Sequence, residues 1–157
     1  MEIVRAETRH IPGMLRLLAQ VGQVHHVGRP DLFRDGAIKY SAQELEALLE
    51  DENCPIFIAE DAHVLGYCFC QCQTVEGNDC ILGRKELYID DLCVEETARG
   101  QHIGSALYHH AVDWAKQRGF DYITLRVWDF PGSAEAFYRN LGMKSRYLCM
   151  EQKLEEI

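Results

Sequence analysis

The spacing of apolar residues changes along the chain and predicts its elements. Glu2–Glu7 alternates Ile3 and, weakly, Ala6 with polar neighbours, the period of a half-buried strand. Ile11, Met14, Leu15, Leu18 and Val21 then recur at the spacing of one helix face. His25 to Tyr40 is irregular, broken by Gly28, Pro30 and Gly36, before Ser41-Ala-Gln-Glu44 offers a capping box for a short helix through Leu49. Pro55–Glu60 and Val64–Val75 read as strands joined by the hairpin-length Asp61-Ala-His63. After a polar turn, Glu76 to Lys85, the segment Glu86–Val94 is a strand of β-formers interrupted by Asp90 and Asp91. Ile103, Leu107, Ala111 and Trp114 mark an amphipathic helix closed by Gly119, and Asp121–Trp128 a further strand. Beyond the Asp129–Gly132 turn, Ser133 is placed to cap a helix with an Ala134, Phe137, Tyr138 and Leu141 stripe. Gly142 stops that helix, and Met143–Leu154 is expected to return as a final strand. The order βααβββαβαβ predicts an α/β fold, a mixed central sheet with helices on both faces.

No linker, repeat or low-complexity tract interrupts these elements, so residues 1–157 are expected to form a single domain. A formal charge of −9 argues against nucleic acid or an anionic membrane as partner. No apolar run has the length of a membrane span and the first residues lack a signal-peptide pattern, so a cytoplasmic location is expected. The 7 cysteines include no CxxC pair, and Cys68, Cys70 and Cys72, at period two, read as buried thiols on one sheet face. Adjacent histidines at 25–26 and 109–110 do not converge as ligands, and no metal is expected.

The stretch Val94 to Leu107 runs strand, glycine loop, helix. The first amides of a helix lack internal partners and sit at the positive end of its dipole, so glycines that admit a phosphate there create an anion site. The loop lacks both the P-loop Lys-Ser/Thr and the dinucleotide GxGxxG spacing. A plain structural turn is the competing reading.

Tyr88-Ile-Asp-Asp-Leu-Cys-Val94, Arg99-Gly-Gln-His-Ile-Gly104 and Ala134-Glu-Ala-Phe137-Tyr138-Arg-Asn-Leu-Gly142 resemble successive motifs of the GNAT superfamily of acetyl-CoA-dependent N-acetyltransferases. The resemblance covers the domain in element order and about Glu86 to Gly142 in motif. It implies a GNAT-like fold, acetyl-CoA as cosubstrate, and pyrophosphate contacts from Arg99, Gly100, Gln101, His102, Ile103, Gly104 and Ser105. It also implies that main-chain groups of Leu92, Cys93 and Val94 bind the pantetheine arm like an added strand, with Ser133 and Phe137 near the cofactor. His102 stands where the family usually has glycine and is expected to need an unusual backbone angle. Arg126 and Pro131 also depart from the family's usual residues, and Pro131 removes a polar contact to the cofactor arm.

Acetyl transfer to an amine needs a base for the ammonium and an acid for the leaving thiolate. Asp90 and Asp91 are the candidate carboxylates. Strand alternation would turn them to opposite faces, and Asp90 is favoured for the cleft, with Glu86, of the same parity, next. A structural or substrate-orienting role competes for each. A phenol can protonate a departing thiolate, and the resemblance assigns that role to Tyr138, which would otherwise read as a core aromatic. Direct transfer to a small-molecule or peptide primary amine is the expected activity, and a homodimer is compatible with it. The alternative is a non-catalytic acyl-CoA-binding or regulatory module on the same fold. The loop holding His25, His26, Arg29, Asp31 and Phe33 is expected to shape the acceptor pocket.

Overall fold

The computed structural model describes residues 1–157 as two compact units, Met1–Arg126 and Val127–Ile157. The first holds β1 (Glu2–Arg5), α1 (Ile11–Gly28), α2 (Ala42–Glu50), β2 (Ile56–Glu60), β3 (Val64–Val75), β4 (Arg84–Val94), α3 (Ile103–Gln117) and β5 (Tyr122–Leu125). The strands form one sheet in the order β1-β2-β3-β4-β5. The first three pairings are antiparallel, and β4 pairs with β5 in parallel, α3 being the crossover that parallel pairing requires.

Helices cover both sheet faces. On one, Met14, Leu17 and Leu18 of α1 and Leu45 of α2 are fully buried with Tyr67, Phe69, Ile56 and Ile58 of the sheet. On the other, Phe57 meets His110 and Trp114 of α3 edge-on at 4.8 and 5.9 Å. The expected capping box closes α2: Ser41 Oγ accepts from the Glu44 amide at 3.2 Å and Glu44 Oε2 accepts from the Ser41 amide at 2.7 Å. A Schellman motif ends α3, with Gly119 N donating to the Lys116 carbonyl at 3.2 Å and Phe120 N to that of Ala115 at 3.1 Å. Cys68 and Cys70 share a face, their sulfurs 3.6 Å apart, and all the cysteines are free.

β4 departs from simple alternation. Opposite β3, Phe69 pairs with Asp91 and Cys70 with Ile89, so Asp90 is an extra, unpaired residue, a β-bulge. Before the bulge Leu87 and Ile89 face the side of Cys72 and Cys70; after it Asp91 and Cys93 face the side of Phe69 and Tyr67.

In the second unit, α4 (Glu135–Asn140) carries Phe137 and Tyr138. Two expectations fail there. Ser133 does not hold the N-cap, which is Ala134; its own amide closes the preceding turn onto the Phe130 carbonyl at 3.0 Å, and its hydroxyl accepts from Glu135 N at 3.4 Å, one residue early. No strand forms over Met143–Leu154, because that unit contains no strand to pair with and a strand's backbone groups need a ladder partner. Leu148 and Met150 are accordingly 83% and 89% exposed. No helix of the chain is long and apolar enough to cross a membrane.

Candidate active site

The Arg99–Gly104 loop has the backbone its sequence predicts. Gly100 takes φ +81° and His102 φ 60°, ψ 17°, the one non-glycine residue of the chain in the left-handed region. His102 is the N-cap of α3 yet caps nothing with its side chain, so the amides opening this 15-residue helix meet no side-chain acceptor. Gln101 and His102 are exposed, and Ile103 anchors the helix start in the core at 2% exposure. An oxyanion fits these donors by charge and geometry.

The β4–β5 ladder ends at Ile89–Leu125, whereas the β4–β3 ladder runs on to Val94. From Asp90 to Val94 the β5 side of β4 therefore has no strand beside it, the edge that an extended ligand arm can join. Leu92 and Cys93 lie on this edge. The Val94 carbonyl is taken by Gln20 Nε2 at 3.0 Å. Cys93 turns its sulfur into the core, 3.4 Å from Gln20 Nε2, and burial pushes its thiol up to about 12, unsuited to a nucleophile.

The bulge corrects the expectation that Asp90 and Asp91 oppose each other. Asp90 Oδ2 accepts from the Tyr40 hydroxyl at 2.5 Å and Asp91 Oδ2 from the Tyr67 hydroxyl at 3.0 Å. Phe69 links the two phenols, stacked with Tyr40 at 5.7 Å and edge-on to Tyr67 at 4.7 Å. Both carboxylates thus meet one aromatic cluster, because an inserted residue resets strand alternation. The Lys39 ammonium closes the cluster, 2.9 Å from Asp90 Oδ2, 3.2 Å from the Asp90 carbonyl and 5.5 Å from the Tyr40 ring. Burial raises Asp91 to about 6, against the pull of Lys39 and the Tyr67 hydrogen bond. Burial, then the bond to Asp90, holds the Tyr40 phenol above its usual range.

Lys39 and Tyr40 are functional candidates that the sequence reading did not single out. Tyr40 directly precedes the Ser41 cap, so the start of α2 fixes its position; a mid-strand acid pair calling for polar partners was the available signal. Gly22 of α1 fixes the loop before them, since a Cβ there would stand 2.3 Å from the Ala37 carbonyl. Farther back in that loop Arg29 holds Asp31 through two hydrogen bonds, His26 Nδ1 lies 2.8 Å from the Phe33 carbonyl, and His25 stacks on Phe33 at 5.0 Å.

Glu86 is not brought to this cluster. It is buried, bonded to Arg84 Nε at 2.5 Å and paired with Tyr122 of β5, roughly 13 Å along the strand from Asp90. Tyr138 is buried in the second unit, its ring 5.0 Å from that of Phe137.

Residues 22–143 match the family model described as the acetyltransferase (GNAT) family. A mutant of the BH1408 protein of Bacillus halodurans is 30% identical, superposes with a TM-score of 0.93, and the match covers 98% of this chain and 99% of that one. The aminoglycoside N-acetyltransferase AAC(6')-Iy in complex with CoA shares the fold at TM-score 0.71 and 14% identity, over 97% of this chain and 98% of that one. An uncharacterized N-acetyltransferase of Methanocaldococcus jannaschii, MJ1207, is 27% identical over 109 residues, 69% of this chain but only 47% of that relative's length. With the family model matched across most of its length, the chain belongs to the GNAT acetyltransferase family.

Proposed function

We propose that the protein transfers an acetyl group from acetyl-CoA to a cationic primary amine by direct attack, with Asp90 receiving the acceptor. One observation carries this reading: Asp90 already holds an ammonium, that of Lys39, at 2.9 Å, beside an aromatic ring. A side chain that binds one alkylammonium suits another of the same chemistry.

Acetyl-CoA, when bound, supplies the acetyl group as an activated thioester. The uncapped amides of α3 with the Arg99–Gly104 loop suit its pyrophosphate, and the free β4 edge suits its extended arm. The CoA complex of a protein of the same fold supports that choice of cosubstrate. Asp90 orients the ammonium and takes a proton from it, so that the nitrogen presents a lone pair. Main-chain N–H groups on the β4 edge polarise the carbonyl being attacked. Tyr138 gives its phenolic proton to the departing sulfur; between a phenol near 10 and a thiol near 8.5 the transfer is uphill by about 2 kcal/mol, and it is completed as the tyrosinate regains a proton from solvent. Cys93, buried and protonated, takes no covalent part.

The test is a screen of amine classes with acetyl-CoA that reads thiol release against a no-acceptor control. Diamines and lysine-like amines should turn over, neutral or acidic amines poorly. Silence across all amines and acyl donors, with CoA still raising the melting temperature, would instead make the protein a binding module.

A further inference from the structure

A second charged site lies at the far end of α3. There an open groove of about 620 Å³ has Arg5, Lys85 and Arg118 on its walls, Trp114 and Phe120 as its apolar surface, and Glu52 as its one acid. Grooves of a few hundred Å³ suit small molecules. The 15 residues of α3 place this end roughly 20 Å from the amides that face the Arg99–Gly104 loop, so a single small anion cannot serve both.

Arg5 and Arg118 differ from the arginines of the chain that are held in ion pairs. Arg9, Arg16, Arg29, Arg84 and Arg139 each hold a carboxylate. Arg5 and Arg118 hold none, in a chain with 25 acidic residues. Each guanidinium lies instead against an aromatic ring, Arg118 at 4.1 Å from the centroid of Trp114 and Arg5 at 5.9 Å from that of Phe57. Partial burial draws Arg5 below the ordinary arginine range, and the like charge of Arg118 acts in the same direction. Ring contacts restrict the two guanidiniums; Arg118 Nη1 donates to the Trp114 carbonyl at 3.5 Å, and the other N–H groups are left to an oxyanion. The Schellman motif occupies carbonyls at this helix end, which removes acceptors that would repel an anion.

We propose that this groove binds a small oxyanion, the phosphoryl or carboxylate group of a small molecule, between Arg5 and Arg118, with Lys85 as a third cation. The two sources share their recognition chemistry and differ in charge and in the number of oxygens offered.

The test titrates the full chain with inorganic phosphate and, separately, with succinate, at constant ionic strength and with CoA saturating. It reads the melting temperature and the indole N–H resonance of Trp114. A saturable rise with a shift of that resonance is expected, stronger for phosphate if a phosphoryl group is the ligand and for succinate if a carboxylate is. Arg118→Gln and Arg5→Gln should each weaken the apparent affinity at least about tenfold, as loss of a charge-assisted pair implies. Gly104→Val, titrated without CoA, should leave it intact. The resonance shift reports on the wild-type chain whether or not a variant folds well. No saturable response to either anion, a response kept by the Arg5→Gln/Arg118→Gln pair, or one abolished by Gly104→Val would overturn the proposal.

Discussion

The Tyr40 hydroxyl donates to Oδ2 of Asp90 at 2.5 Å, tying the segment that leads into α2 to the bulge of β4. The same oxygen takes the Lys39 ammonium, so an amine received by Asp90 as proposed would have to displace the chain's own lysine. Asp90→Asn should raise the acceptor KM by about 10- to 100-fold, the scale of a lost charge-assisted hydrogen bond, and leave the CoA-induced melting shift unchanged. If Asp90 is also the base, the acidic limb of the rate profile disappears or moves with it. Asp91→Asn should do less to the acceptor, because its carboxylate is bound to Tyr67. Small, equal effects from both would remove the acid pair from substrate binding.

Asp91 has its own signature in stability. Its carboxyl is raised from 3.8 to about 6 by burial, so the folded chain holds that proton more tightly than the unfolded one. The resulting stability is fully present below the unfolded pKa and is lost as pH rises through about 6. Asp91→Asn keeps an acceptor for Tyr67 without the buried charge, and should be more stable than wild type at neutral pH by about 1–3 kcal/mol. A series of melting curves should show the gain shrinking as pH falls from about 6 to about 4 and staying level below that. A variant less stable at every pH would contradict it.

His102 stands in the left-handed region without glycine's freedom. His102→Gly should add about 1 kcal/mol, a rise of about 2–4 °C in melting temperature for a chain of this size, and preserve CoA binding. Gly104→Val should instead abolish the CoA-induced shift with the fold intact by circular dichroism. CoA binding unaffected by that valine would move the pyrophosphate elsewhere.

Tyr138→Phe separates chemistry from binding. Removal of the phenolic proton should cost about 10- to 1000-fold in kcat with little change in CoA affinity. Unchanged turnover would leave Tyr138 a core aromatic.

Gly22 tests how the acceptor side is held. Gly22→Ala forces the Ala37 backbone away from α1, and with it the approach to Lys39 and Tyr40. Acceptor KM should rise by about tenfold, with CoA binding unaltered, if displacement loosens one charge-assisted contact. An unchanged KM would show that Tyr40 is fixed by Asp90 and the α2 cap alone.

Local signals carried the elements that depend on local chemistry. The Ser41–Glu44 box, the Asp61–His63 connection and the Gly119 stop each act within a few residues, and each forms as its sequence predicts. The left-handed angle at His102 was legible for the same reason, since it followed from a side chain standing in a glycine's place. Met143–Leu154 misled because its apolar content describes a strand while a strand also needs a neighbour that no local pattern names. The bulge was hidden differently: alternation assumes one residue per pleat, and Asp90 breaks that count only through its pairing across to β3. Lys39 and Tyr40 went unnoticed because their meaning lies 50 residues away in Asp90.

The bulge also constrains how this strand can change. Ile89 and Leu92 face one side of the sheet and Asp91 and Cys93 the other, so β4 carries two reading phases joined at Asp90. Deleting one residue between Ile89 and Leu92 would restore simple alternation opposite β3 and remove one of the two adjacent carboxylates that the bulge sets against Tyr40 and Tyr67. Substitution can adjust each phase by itself, whereas a change of length cannot. Variation in acceptor preference among chains that keep this bulge should therefore be found in residue identity at Asp90 and in the segment that meets it, and insertions or deletions should be confined to the loops beyond.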